Sequence, residues 1–143
     1  MSKLKLFLAL AAILAATGTL RAQNDAVNLI ELEGRMAIFS VETESAKEKG
    51  VTTEALLTLF RTLIDEGVSG IEGGTPLMQI RNDKWRENFL KQGNPPYMLY
   101  VKGIQTEGAP IKNSVGKFKA TVLVKVNMDL LFKQLKNYGV MRK

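Results

Sequence analysis

Apolar positions along this chain change their spacing several times, and each change marks an element. From Val27 to Val41, Ile30, Leu32, Met36 and Ile38 share one parity, while Glu31, Glu33 and Arg35 take the other. Such alternation predicts extended backbone. Gly34 interrupts the run as either a bulge or a tight hairpin turn. Phe39 and Val41 then switch parity, which predicts a bend. Residues 42–50 (ETESAKEKG) are polar and charged, and Gly50 argues against one helix across them. The pattern next becomes helical: Leu56, Leu57, Phe60, Leu63 and Ile64 recur at three- and four-residue spacing. Thr52 or Thr53 is the expected cap, Glu54 lies in the first turn, and Gly67 is the expected left-handed stop.

The second half carries five more elements. Glycines at 67, 70, 73 and 74 with Pro76 predict a turn-rich connection that delivers a short strand at Leu77–Ile80. Asn82 offers a cap for a short helix over Asp83–Lys91, stopped by Gly93, with Trp85 and Phe89 one turn apart on its face. Asn94-Pro95-Pro96 is rigid and extended. Tyr97–Thr106 (YMLYVKGIQT) has a strand pattern, and Glu107–Gly116 reads as a loop. Lys117–Val126 alternates strictly: Phe118, Ala120, Val122, Val124 and Val126 on one side, and Lys117, Lys119, Thr121, Leu123 and Lys125 on the other. A lysine side predicts a solvated sheet face and antiparallel pairing. Asn127 can cap a last helix whose apolar stripe is Met128, Leu131, Phe132, Leu135 and Tyr138, with Gly139 ending it. The expected architecture is α+β: two layers, an antiparallel sheet with helices on one face.

The N-terminus changes the picture of where the chain goes. Lys3 and Lys5 precede an uncharged Leu/Ala-rich run from Leu6 to Leu20, after which the composition turns polar. That order is the one of a secretory signal peptide. Fifteen helical residues reach only about 22 Å, against a hydrocarbon core of roughly 30 Å, so the run is short for a retained anchor. The expected cut follows Ala22, with Gly18 as the alternative site. The expected organisation is a leader over 1–22 and a single domain over 23–143. The expected location is the periplasm or the exterior, with no stable membrane insertion after processing.

Composition then narrows the chemistry. The whole chain has 20 basic and 14 acidic residues, a formal charge of +6. The leader holds Lys3, Lys5 and Arg21 and no acid, so processing leaves 17 basic residues against the same 14 acids. That is an ordinary solubility charge, and no nucleic-acid partner is expected. There is no Cys, so packing alone must hold the domain. The absence of His removes the Ser-His-Asp and Cys-His nucleophilic machines and every histidine metal ligand.

The order and turn residues of these elements resemble those of small envelope domains. The segments that carry the likeness are an opening strand with a Gly (IELEGRM, 30–36), the helix ending in Gly-Val at 67–68, PYMLYVKGIQ (96–105) and VLVKVNMDLLFKQLKNYGV (122–140). Together they resemble the N-terminal domain of flagellar assembly protein T and related secreted lipoproteins. The chain departs from the lipoproteins in lacking a lipid-attachment cysteine. The resemblance implies an α+β envelope domain used for assembly or protein contact, with no catalytic residue carried over.

The candidate chemistry is sparse. The glycine stretch 67–74 is not G-x-G-x-x-G and reads as turns. Gly116-Lys117 lacks the phosphate-loop pattern, since Ile111 and Phe118 stand where Gly and Ser or Thr are needed. No calcium-loop spacing occurs, so no metal or cofactor is expected. Glu31 with Glu33, and Asp65 with Glu66, are paired carboxylates that read as solvated surface acids. Lys102, Lys117, Lys119 and Lys125 with Tyr97 and Tyr100 are the candidate binding residues, a sheet face for an anionic ligand or a polymer. The competing reading of these lysines is the ordinary wet side of an antiparallel sheet, where they discourage edge-to-edge strand pairing. The functional expectation is a non-enzymatic binding or assembly module whose partner is an envelope protein or the chain itself. The alternatives are a carboxylate hydrolase of envelope polymers and a small-ligand carrier.

Overall fold

Residues 26–143 are described by the computed structural model; the predicted leader and its cleavage site lie outside the described residues. Two strands, β1 (Val27–Glu33) and β2 (Met36–Ser45), form a hairpin. Glu33 pairs with Met36, so the turn is the two-residue Gly34-Arg35. Gly34 has φ +62, a conformation that a side chain resists and that a first-position glycine supplies in a tight hairpin. The hairpin alternative is therefore the one adopted. A bulge does occur, but upstream, where the register slips between Leu29 and Glu31.

β2 then pairs with β5 (Phe118–Asn127) in ten consecutive antiparallel positions, from Met36 opposite Asn127 to Ser45 opposite Phe118. This register decides the faces. Ala37, Phe39 and Val41 lie opposite Val126, Val124 and Val122, and all six are buried in one core. The parity expected from Ile30, Met36 and Ile38 is thereby reversed: the Phe39/Val41 set faces the core. Ile38 and Leu123 point to the other face; with Ile30, at the bulge, they are buried but lie outside the core cluster. β3 (Val101–Thr106) and the short β4 (Ile111–Lys112) both pair with the far side of β5. The strand order is β1-β2-β5-β3, antiparallel throughout.

Helix α1 (Val51–Asp65) packs across β2 and β5. It begins before Thr52 and Thr53, continuing a 3-10 turn over Glu48–Gly50, and no side chain caps it. Its buried stripe is Ala55, Leu56, Leu59, Phe60, Leu63 and Ile64, with Leu59 rather than Leu57 in the core. Gly67 follows at φ +92, and the loop folds back so tightly that a Cβ there would stand 2.2 Å from the Gly74 carbonyl oxygen. Leu77–Ile80 is not a strand. Leu77 N–H donates to the Leu63 carbonyl, and Gln79 and Ile80 N–H donate to the Val140 carbonyl. The segment thus ties the end of α1 to the C-terminus.

Helix α2 (Asp83–Phe89) is capped by Asn82, whose side chain accepts from Trp85 N–H at 3.0 Å. It is anchored to α1 by a two-pronged ion pair in which Arg86 Nε donates to Asp65 Oδ1 at 2.8 Å and the guanidinium's second arm meets Oδ2. Asp65 is therefore a structural partner and not a free surface acid. Helix α3 (Met128–Asn137) is capped by Asn127, which accepts from Leu130 N–H at 3.0 Å. It buries Met128, Leu131 and Leu135, while Tyr138 beyond it is exposed. The fold is α+β, as expected: an antiparallel sheet with helices on one face, and no helix on the other among the described residues. Among those residues no helix is long and apolar enough to cross a membrane.

Candidate binding surface

Tyr97 and Tyr100 do not join the lysine face. Pro95 and Pro96 lead not into a strand but into a 3-10 turn over Pro96–Tyr100, and β3 starts only at Val101. Three residues per turn put side chains at i and i+3 on one side, so both tyrosines point inward while Met98 and Leu99 face solvent. Tyr97 is 3% exposed and stacks on Phe60, ring centroids 4.5 Å apart at 12°. Phe89 lies 6.0 Å from Tyr97 and 6.3 Å from Tyr100, and Trp85 stacks on Phe89 at 4.8 Å. Burial pushes both phenols above their ordinary values; Glu54 adds to the effect on Tyr97 and Tyr138 to that on Tyr100. The pair belongs to the helix-side core, where all these rings close the layer.

The lysines do lie away from that core. On β5 the core-facing residues are Ala120, Val122, Val124 and Val126, so Lys119, Thr121, Leu123 and Lys125 occupy the open face. Lys119 is exposed, Lys125 half-buried, and Leu123 only 1% exposed, so the expected wet side has an apolar centre. Lys119 and Lys125 stand six residues apart, roughly 20 Å along the strand. Lys102 sits beside the Gly103–Lys125 pairing, at the Lys125 end. Lys117 precedes β5 at the Lys119 end, in the connection from β4. The basic residues thus form two separated groups on one half of the sheet.

The other half of the open face is acidic. Glu31 of β1 lies opposite Ile38, Glu33 opposite Met36, Glu42 opposite Thr121 and Glu44 opposite Lys119. Only Glu31 and Glu33 are legible as a pair in the sequence; Glu42 and Glu44 join them because β2 runs on through a segment that reads as polar linker. At that end of the sheet an open groove of about 540 Å³ is bounded by Glu42, Glu44, Glu107, Ile111, Asn113, Lys119 and Thr121, among others. Glu107 N–H donates to the Thr121 carbonyl at 2.8 Å, so Glu42 and Glu107 flank Thr121 from its two sides. Burial raises the Glu107 carboxyl above the usual carboxylate range.

The segment expected to be a plain loop, Glu107–Gly116, is built more firmly than that. β4 pairs with Phe118 and Lys119, and the tip is closed by Asn113. Its side-chain oxygen accepts from Val115 N–H at 3.1 Å and Lys117 N–H at 2.9 Å. Its own N–H donates to the Lys117 carbonyl at 2.7 Å. The hairpin therefore holds Ile111 and Val115, each 73% exposed, in fixed positions beside the groove. Asn113 and Gly116, both just before Lys117, are the sequence signal for this turn.

Fold and surface together define a two-layer α+β domain with one sheet face roofed by helices and one carrying segregated charge. Among the described residues no group of three acidic side chains is placed to hold a metal ion. Comparison with protein-family models, with curated proteins and with solved structures gives no match.

Proposed function

We propose that the protein is an exported binding module of the cell envelope that contacts its partner through the open sheet face and the hairpin beside it. The observation that carries this reading is the division of labour between the two sheet faces. Every aromatic ring of the Trp85–Tyr97–Phe60 cluster serves the helix side, whereas Lys119, Glu42, Glu44 and the exposed Ile111 converge on the groove of the other side. Exposed apolar side chains rimmed by polar groups mark protein-contact surfaces. The leader-like N-terminus and the resemblance in element order to envelope assembly domains support the location.

The test is a photo-cross-linking amino acid placed in intact cells at Lys119 or Ile111, and at Arg61 on the exposed side of α1 as the comparison. Discrete adducts from the first two positions and none from Arg61 are expected. Equal adducts from all three, or none from the face, refute the proposal.

A second reading has one observation in its favour: Glu107, with its raised carboxyl, shares the groove with Glu42. Such a pair suits acid–base cleavage of a glycan. Turnover of an envelope glycan by the purified protein, lost in Glu107→Gln, would put the hydrolase in place of the binding module.

A further inference from the structure

We propose that the outer corner of the helix layer, where α2, the turn over Pro96–Tyr100 and the end of α3 meet, rests reversibly on an anionic lipid surface. This does not depend on the sheet face opposite the helices. Two observations carry it, and both concern what the helix layer shows to solvent. The first is the placement of exposed apolar side chains. Eight large ones stand out among the described residues, and four of them, Ile80, Met98, Leu99 and Tyr138, belong to this corner. The second is charge. Segments 79–91 and 128–143 hold eight basic residues against three acids, an excess of five. Arg86 is paired with Asp65, which leaves four. Residues 23–143 as a whole have 17 basic residues against 14 acids, an excess of three, so the chain outside these two segments is slightly acidic.

Hydrogen bonds and ring contacts hold the corner together. Ile80 N–H donates to the Val140 carbonyl at 2.9 Å, and Arg142 N–H donates to Gln79 Oε1 at 2.8 Å. These bonds bring the start of α2 beside the end of α3, where Trp85 and Tyr138 meet with ring centroids 6.4 Å apart. The turn over Pro96–Tyr100 lies against both helices. Having sent Tyr97 and Tyr100 inward, it offers Met98 and Leu99 outward. Arg81 and Lys84 adjoin Ile80 and Trp85 in the chain, and Arg142 is held beside Gln79; all three are exposed, as is Lys143. The acids on the same helix are Asp83, paired with Arg81 at 3.1 Å, and Glu87.

An apolar group with Trp and Tyr, edged by basic side chains, suits the boundary between lipid headgroups and acyl chains. Trp and Tyr concentrate there because each ring has an apolar body and a polar tip. Lys and Arg lay their methylene stems along apolar surface and keep their charge at the level of the phosphates. Each basic residue near an anionic leaflet adds attraction that falls off within a Debye length. A soluble acidic partner would satisfy the charges but leave Leu99, 68% exposed, and Ile80 in water, whereas a lipid surface takes up both. With few side chains entering the boundary, the contact is peripheral and reversible.

Trp85 is the only tryptophan, so its fluorescence reports this corner alone. The test mixes the protein, purified in the form cells hold, with vesicles of phosphatidylcholine alone or with phosphatidylglycerol added. The expected result is a blue-shifted emission on the anionic vesicles, quenched by brominated lipid and weakened between roughly 0.05 and 0.5 M salt. Affinity for phosphatidylcholine alone is expected to be at least about tenfold lower. Lys84→Glu with Arg142→Glu removes the attraction, and Ile80→Ser with Leu99→Ser removes the apolar contact. Each double variant is expected to bind anionic vesicles at least about tenfold more weakly. All four side chains are exposed, and unchanged circular dichroism and melting temperature confirm that the variants fold. No spectral change on anionic vesicles overturns the proposal, as does equal binding to both vesicle types. Binding that neither double variant weakens places the lipid contact elsewhere, such as the apolar run at 6–20, and overturns it too. An emission change given equally by soluble polyglutamate, with no quenching by brominated lipid, assigns the corner to an acidic protein instead.

Discussion

The stacked pair Phe60–Tyr97 offers the sharpest test of the packing, because it separates a core tyrosine from a ligand-binding one. Phe60 is wholly buried and Tyr97 nearly so, with rings 4.5 Å apart and 12° from parallel. Leucine at either position keeps part of the volume and removes the ring. Full truncation of a buried aromatic costs about 3–5 kcal/mol, so each leucine variant should lose about 2 kcal/mol. Offset-stacked rings contribute a further ~0.5–1.5 kcal/mol beyond area. The double variant should therefore lose less than the sum of the singles by that amount. Urea unfolding followed by circular dichroism reads the effect: with a slope of about 1.5 kcal/mol per molar, each single variant moves the midpoint down by about 1 M. Phe89 keeps its contacts to whichever ring remains, so the cycle isolates the pair. Tyr97→Leu within ~0.5 kcal/mol of wild type, the range of an ordinary surface substitution such as Lys119→Ala, refutes the buried placement. Additive single losses refute the stacking.

Two further outcomes follow from local geometry. Gly67→Ala combines a left-handed backbone with a 2.2 Å approach to the Gly74 oxygen, and should cost about 3 kcal/mol. Gly108→Ala has φ +68 but open space, and should cost only about 1 kcal/mol by the same thermal-melt comparison. Glu107 tests pH dependence. Its native carboxyl holds its proton more tightly than in the unfolded chain, so its favourable contribution is complete below the ordinary carboxylate range. That contribution is lost as pH rises through the raised value. Relative to Glu107→Gln, the wild type should therefore melt progressively higher as pH falls from 7 to about 4; a difference constant with pH is the contrary result.

Much of the fold is legible in the sequence because particular residues admit one conformation. Asn82 and Asn127 stand three residues before the N–H groups they cap, and strict alternation along β5 has no helical reading. Gly34 left two options, and only the pairing of Glu33 with Met36 selects the turn over the bulge. What was not legible depends on the partner of an element rather than on its own pattern. In β2 both parities carry apolar residues, so the choice of core face falls to the valines of β5, whose other side is charged. Residues 42–45 read as linker because their alternate positions are acids, yet ten backbone pairings carry the strand through them. The leader expectation rests on residues outside those described.

The tyrosines show most clearly why a site can be misplaced while its element is nearly right. Tyr97 and Tyr100 differ by three, an odd number, and a strand would send them to opposite faces. Only a turn of three residues brings both to one side, with Pro96 in its first turn and the exposed Met98 and Leu99 between them. The spacing itself therefore argued against grouping them on a sheet face with Lys102. Lys119 and Lys125, by contrast, alternate along β5 with residues of the core, and a period of two puts them on the other side of the sheet. What remained hidden was that their neighbours across the midline are acids. That relation lies between β2 and β5, more than seventy residues apart in the chain, and only the register of Glu44 with Lys119 makes it visible.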